Sequence, residues 1–202
     1  MSDASDNTAG YCAILLAAGH ARRFGADKLM HPLAGQPMAR VSAATLQRVL
    51  PTLAIVRSGQ QTLIEQLAAQ GVPTITLGET NGGMGMSITA GIAARANAKG
   101  WLVALADMPF IQPATIARVL AALQNGSPIA APVYRGQRGH PVGFSAAFGD
   151  ALRALRSDAG ARELLQRHAA EITLIACDDP GILADIDTLA DLPAETTTEL
   201  RG

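Results

Sequence analysis

Short apolar runs recur along this chain at intervals filled by longer stretches of helical periodicity, and that rhythm restricts the fold more than any other feature. Residues 11–16, 53–56, 74–77, 100–104, 127–133 and 172–176 read as strands. Segments 38–49, 62–70, 86–97, 113–124 and 158–168 read as helices. Their alternation predicts an α/β sandwich in which helical crossovers join the strands of a mostly parallel sheet. Val41, Ala44, Thr45 and Val49 are expected to share one helix face, and Leu63, Leu67 and Ala68 another. Pro113 stands near the first turn of its helix, where a missing N–H costs nothing.

With 202 residues, 49% of them hydrophobic, the chain can bury the core of one compact domain, expected over residues 11–202. Residues 1–10 are polar and read as a loose tail without the apolar stretch of a secretory signal. Sixteen basic residues against 17 acidic ones, with 3% aromatics, argue against nucleic-acid binding, which needs a basic footprint or stacking platforms. Cys12 and Cys177 lie far apart with no metal-ligand spacing and read as reduced, buried thiols, so a cytoplasmic location is expected. No run approaches the roughly 18 apolar residues of a membrane span, and a soluble protein is expected.

Residues 13–29 carry the densest chemical signal. An apolar strand ending at Leu16 runs into Ala17, Ala18 and Gly19, small residues that let a ligand approach the backbone, and then into Arg22, Arg23 and Lys28. Amides followed by spaced cations describe a place to hold phosphates. Neither G-x-x-x-x-G-K-[ST] nor G-x-G-x-x-G is present, which excludes the P-loop and the dinucleotide fingerprint.

Asp107 follows the strand at 100–104, so its carboxylate is expected at the carboxyl edge of the sheet, where ligands of open α/β folds collect. It is suited to Mg²⁺, whose shell mixes one or two carboxylates with water and phosphate oxygens, or to capping the next turn. Asp185 and Asp187 share a face if their segment is extended, while Asp187 is alternatively a helix cap before Thr188. Gly78, Asn81 and Ser87 lie between a strand and a helix, where they grip a nucleoside or, for Ser87, cap the helix. Residues 133–148 read as two extended pieces around a glycine-rich turn able to reach over a ligand, bearing Arg135, Arg138 and His140.

Leu16-Ala-Ala-Gly19, Arg23-Phe-Gly25, Asp27-Lys28-Leu29, Leu105-Ala-Asp107-Met-Pro109 and Arg138-Gly-His-Pro-Val142 together resemble the MobA-like nucleotidyltransferases. Within that superfamily the likeness is greatest to the molybdenum cofactor cytidylyltransferases, the MocA family. It continues through residues 157–165, Asp179-Pro-Gly181 and Asp185-Ile-Asp-Thr188. The resemblance implies a Rossmann-like three-layer α/β/α fold that moves a nucleoside monophosphate from a triphosphate to an acceptor phosphate, with Mg²⁺ or Mn²⁺, releasing pyrophosphate.

By that resemblance the backbone at Leu16, Ala17, Ala18 and Gly19 meets the nucleotide, together with Gly78, Asn81 and Ser87. Arg23 and Lys28 steady the triphosphate and its leaving group, and Asp107 holds the metal with Asp185 as first choice of second ligand and Asp187 behind it. Arg135, Arg138 and His140 bind the acceptor. Ala18 resembles the cytidylyl-transferring relatives, where guanylyl-transferring ones more often carry a second glycine. CTP and a molybdopterin-type cofactor are the implied substrates, and a molybdenum hydroxylase of the xanthine dehydrogenase type the implied recipient. A guanylyltransferase, an enzyme using another phosphorylated acceptor, and a non-catalytic cofactor carrier stand as alternatives. The chain departs from the family pattern at Ala21, where Ser or Gly is common, and in a shorter stretch before Gly83.

Overall fold

The computed structural model describes residues 10–19, 28–78, 83–156 and 159–192. In chain order they form β1 (Tyr11–Leu16), the short hairpin β2 (Pro32–Leu33) and β3 (Gln36–Pro37), α1 (Met38–Gln47), β4 (Thr52–Arg57), α2 (Gln61–Ala68) and β5 (Thr74–Leu77). There follow α3 (Gly83–Ala94), β6 (Gly100–Leu105), α4 (Pro113–Gln124), β7 (Ile129–Tyr134), β8 (Gln137–Arg138), β9 (Val142–Ser145), α5 (Gly149–Arg153), α6 (Arg162–Arg167) and β10 (Ile172–Ala176). The main sheet has the order β10-β7-β9-β6-β1-β4-β5, with β8 paired to β7.

β1 lies between β6 and β4, parallel to both, and alternate residues feed two separate cores. Ala13 and Leu15 pack with Ala39, Leu46, Leu63, Leu67, Ile116 and Leu120 on one face. Cys12, Ile14 and Leu16 pack with Ile88, Ile92, Trp101, Phe144 and Leu164 on the other. This is a Rossmann-like α/β/α sandwich. Burial on both faces is why the strands read as continuous apolar runs. At Gly91 a β-carbon would collide with Ile14, so the missing side chain sets how closely α3 lies on β1.

Several details differ from the sequence expectation. On α1 the buried face is Met38, Ala39, Ser42, Ala43 and Leu46, turned away from the expected Val41, Ala44, Thr45 and Val49, because small residues let the helix approach the sheet closely. Leu63 and Leu67 are buried as expected, while Ala68 is exposed. β9 runs antiparallel between β6 and β7, an inversion that the short run Val142-Gly-Phe-Ser145 does not announce. Gly10, assigned to the tail, is anchored, its carbonyl accepting from Lys99 N–H at 2.6 Å. Both cysteines are free thiols, but only Cys12 is buried; Cys177 is half-buried. Burial pushes the Cys12 thiol above its ordinary range against hydrogen bonding from Arg95. Among the described residues no helix is long and apolar enough to cross a membrane.

The segment after β10 returns across the carboxyl edge, fastened by Asp179. One oxygen of this buried carboxylate accepts from Gln112 N–H (2.9 Å) and Thr115 Oγ1 (2.6 Å) at the start of α4, and the other from Gly181 N–H at 3.1 Å. A carboxylate at a helix N-terminus is also favoured by the helix dipole. Gly181 lies against the Phe110 backbone and Gly139 against Ile182, both too closely for a β-carbon. Replacing Asp179 by alanine strands two backbone donors and a hydroxyl, and is expected to lower unfolding free energy by about 3 kcal/mol. Urea denaturation followed by circular dichroism measures this, and a loss under about 1 kcal/mol contradicts the clamp role.

Candidate active site

All the parallel strands point their carboxyl ends toward one edge, where Lys28, Asp107 and Asp187 meet. The chain leaves β1 beside the gap between β4 and β6: Ala17 N–H donates to Ile55 O (2.8 Å), and Leu16 O accepts from Ala106 N–H at 3.1 Å. The Ala17 N–H and the Leu16 carbonyl are thus engaged in the sheet. Ala18 and Gly19 extend past it, and among the described residues no atom lies within 4 Å of where a β-carbon on Gly19 would stand. This part of the chain lies where an α/β fold receives ligands.

Lys28 begins a short 3-10 turn, Lys28–Met30, packed on α1 through Leu29. Its ammonium is 2.7 Å from Asp187 Oδ1 and 2.9 Å from Asp107 Oδ2, with only 8% of the residue exposed. Burial by itself pushes the Lys28 pKa down, but the hydrogen bonds to Asp187 and Asp107 outweigh it and raise it above the ordinary lysine value. Lys28 is therefore a fixed cation at neutral pH.

Asp107 follows β6 by two residues, held through Ala106, whose carbonyl accepts from Ser42 Oγ at 2.9 Å. Its own carbonyl accepts from Ile186 N–H at 3.0 Å. Ile186 is buried against Leu33 and Met38, so the residue between the two candidate aspartates is the anchor of their segment. Beyond it, Asp191 Oδ2 accepts from Asp187 N–H (3.0 Å), Thr188 N–H (2.7 Å) and Thr188 Oγ1 (2.9 Å). The Thr188 N–H, foremost among these groups, holds the Asp191 carboxyl below its usual range. The cap here is Asp191, not Asp187, and Asp187 is left to face Lys28. Asp187, and not Asp185, is the carboxylate that meets Asp107 at the Lys28 ammonium.

His140 enters on the neighbouring side. Its N–H donates to Ile182 O at 3.0 Å, while its side-chain Nδ1 is enclosed with no hydrogen-bond partner among the described residues. Burial lowers its pKa, against the pull of Asp107 and Asp185, so the ring is neutral at pH 7. Arg135 and Arg138 are exposed on the β7–β8 hairpin, with Arg135 in the left-handed region (φ 49) and its guanidinium 5.1 Å from the Tyr134 ring centroid. Gly78 is exposed after β5. Ser87 is the fifth residue of α3 and buried, so it is not the helix cap. Arg23 and Asn81 lie outside the described residues.

An all-oxygen pair, Asp107 and Asp187, half-buried and exposed, fits a hard divalent cation that takes its other ligands from water and phosphate. Among the described residues no cluster of three or more His, Cys, Asp or Glu could hold a metal by itself. Asp179, Ile186 and Asp191, which position the site, carry no local sign of that work, apart from Asp179 in the Asp-Pro-Gly signature.

Small residues past the first strand, a buried lysine and an aspartate at the end of a neighbouring strand define a nucleotide-handling α/β protein. Residues 13–186 match the family model of the MobA-like NTP transferase domain, and the chain belongs to that family. It is 28% identical over 187 residues to nicotine blue oxidoreductase of Paenarthrobacter nicotinovorans, covering 87% of this chain and 91% of that protein. To purine catabolism protein PucB of Bacillus subtilis it is 29% identical over 187 residues, covering 87% and 90%. The solved nucleotidyl transferase from Methanothermobacter thermautotroptrophicus superposes with a TM-score of 0.79 at 20% identity, over 96% of this chain and 99% of that one, which supports the shared fold.

The enclosed, neutral His140 gives a signed pH dependence. Its folded pKa lies below the ordinary 6.5, so as pH falls past that value the unfolded chain takes up a proton that the folded chain refuses, and stability drops. His140→Asn is expected to narrow the difference in urea midpoint between neutral and mildly acidic buffer; an unchanged difference places the titration elsewhere.

Proposed function

We propose that this MobA-like transferase moves CMP from CTP to the terminal phosphate of a molybdopterin-type cofactor, releasing pyrophosphate and forming the cytosine dinucleotide. The observation that carries the reading is Lys28 lodged between Asp107 and Asp187 at the carboxyl edge where β1 and β6 end side by side. A cation for phosphate oxygens and two carboxylates for a divalent ion thus stand at one sheet edge.

The acceptor phosphate is ionised near neutral pH, so its oxygen attacks the α-phosphorus without a side-chain base, and the bond to the bridging oxygen of the β-phosphate breaks. Positioning and charge neutralisation carry the chemistry. Ala18 and Gly19 receive the nucleotide, Lys28 and Arg23 steady the triphosphate and the departing pyrophosphate, and Gly78 and Asn81 border the nucleoside. Mg²⁺ or Mn²⁺ on Asp107 and Asp187, with Asp185 nearby, supplies further neutralisation of the phosphate oxygens when bound. Arg135, Arg138 and neutral His140 hold the acceptor, the arginines suiting a dianionic phosphate.

Ala18 supports CTP, since its methyl narrows the pocket against a purine; a single methyl discriminates by about 1–3 kcal/mol. The product is suited to a molybdenum hydroxylase of the xanthine dehydrogenase type in the cytoplasm.

Incubation with each nucleoside triphosphate, Mg²⁺ and molybdenum cofactor, followed by mass identification of the product, tests base and acceptor together. The cytosine dinucleotide is expected; a guanine dinucleotide overturns the base, and no product with any triphosphate overturns the acceptor. Asp107→Ala is expected to lower kcat by about a hundredfold or more with an unchanged circular dichroism spectrum. Undiminished turnover removes Asp107 from the reaction, and cofactor binding without turnover in the unaltered protein favours the carrier alternative.

A further inference from the structure

The carboxylates suited to a divalent ion already share a cation of the chain itself. Lys28 meets Asp187 at 2.7 Å and Asp107 at 2.9 Å, and the ammonium is largely withdrawn from water. A divalent ion on the same oxygens would stand within a few ångströms of a positive charge and be repelled by it, most at the less exposed Asp107. The ion and the ammonium therefore compete for these carboxylates. An ammonium moved off both partners must find another anion, because a poorly hydrated charge without one is costly. The anion that enters this edge, on the proposed reading, is the triphosphate.

We propose that Lys28 is an internal competitor for the metal site, so that a divalent ion binds tightly only with a phosphate group that takes Lys28 away from Asp107 and Asp187. The inference rests on the assignment of those aspartates to the metal, but not on which base or acceptor is used. Lys28 thereby has two successive partners: the carboxylates while the site waits, and phosphate oxygens once the nucleotide is bound. Binding of metal and nucleotide is then coupled, each favouring the other to the same extent by linkage. The device keeps a pair of acidic groups from capturing stray cations and keeps the lysine ordered for the incoming triphosphate.

The test is binding of Mn²⁺ without nucleotide, read as free ion by electron paramagnetic resonance. Lys28→Met, which keeps the length and removes the charge, is expected to tighten Mn²⁺ binding at least tenfold relative to the unaltered protein, although it loses a cation from the nucleotide site. Equal or weaker Mn²⁺ affinity in Lys28→Met overturns the competition. Asp187→Asn and Asp107→Asn in the Lys28→Met background should each abolish the gain, and a gain that persists places the ion elsewhere and also overturns the proposal.

A second measurement needs no variant and covers the case in which Lys28→Met does not fold. Titrating protein labelled with ¹⁵N-lysine and ¹³C-aspartate with Mg²⁺ alone is expected to shift the Lys28 ammonium resonance in step with the Asp107 carboxylate resonance. A carboxylate that saturates while the ammonium signal stays in place overturns the idea. Failure to form a cytosine dinucleotide leaves these binding results standing, and their failure leaves the dinucleotide assay standing, so the two readings fall separately.

Discussion

The ammonium of Lys28, buried between two carboxylates delivered by distant parts of the chain, organises the carboxyl edge of this sheet. Asp187 lies 159 positions further along, yet its oxygen is 2.7 Å from Lys28 Nζ. A buried ion pair of this kind is weak evidence of stability, because withdrawing the charges from water offsets most of their attraction. Its consequence is geometric. Three charged groups are held in fixed positions, and the rest of the edge is built to bring them there.

That work is done by groups with no part in the chemistry. The return of the chain after β10 is fastened by Asp179 to the start of α4, seated through two glycines that admit Phe110 and Ile182 without a β-carbon, and closed by Ile186 in a small apolar pocket. Asp191 then gathers the N–H groups of Asp187 and Thr188. Short, saturated hydrogen bonds and one buried isoleucine convert a segment with little regular structure into a precise mount. Preorganised charge of this sort is what group transfer between phosphates requires, since it needs no reorientation when the substrate arrives.

Membership of the MobA-like NTP transferases accounts for the position of the site as well as its contents. In a parallel sheet the strands all end on one side, and the point at which the chain departs from β1 toward both neighbours leaves a crevice there. The inverted strand β9 serves the same end. Running against its neighbours, it brings its preceding residues, His140 among them, to the edge where β6 and β7 finish.

The layered fold, the positions of six of its strands and the emergence of Asp107 at the carboxyl edge were legible in the sequence because each depends on local causes. Strands covered on both faces must be apolar throughout, and a residue that follows a parallel strand must emerge at the carboxyl edge. The small-residue face of α1 was less legible, since Ala39, Ser42 and Ala43 carry less apolar contrast than Val41 and Val49. Neither the direction of β9 nor the choice of Asp187 over Asp185 has a local cause. Both follow from contacts between segments far apart in the chain: β9 from its pairing with strands on either side, Asp187 from the burial of Ile186 and the turn closed by Asp191. The sequence determined which chemical groups this protein possesses and the layered frame that holds them; the tertiary structure alone decided which two carboxylates meet the lysine, because only packing brings those distant residues together.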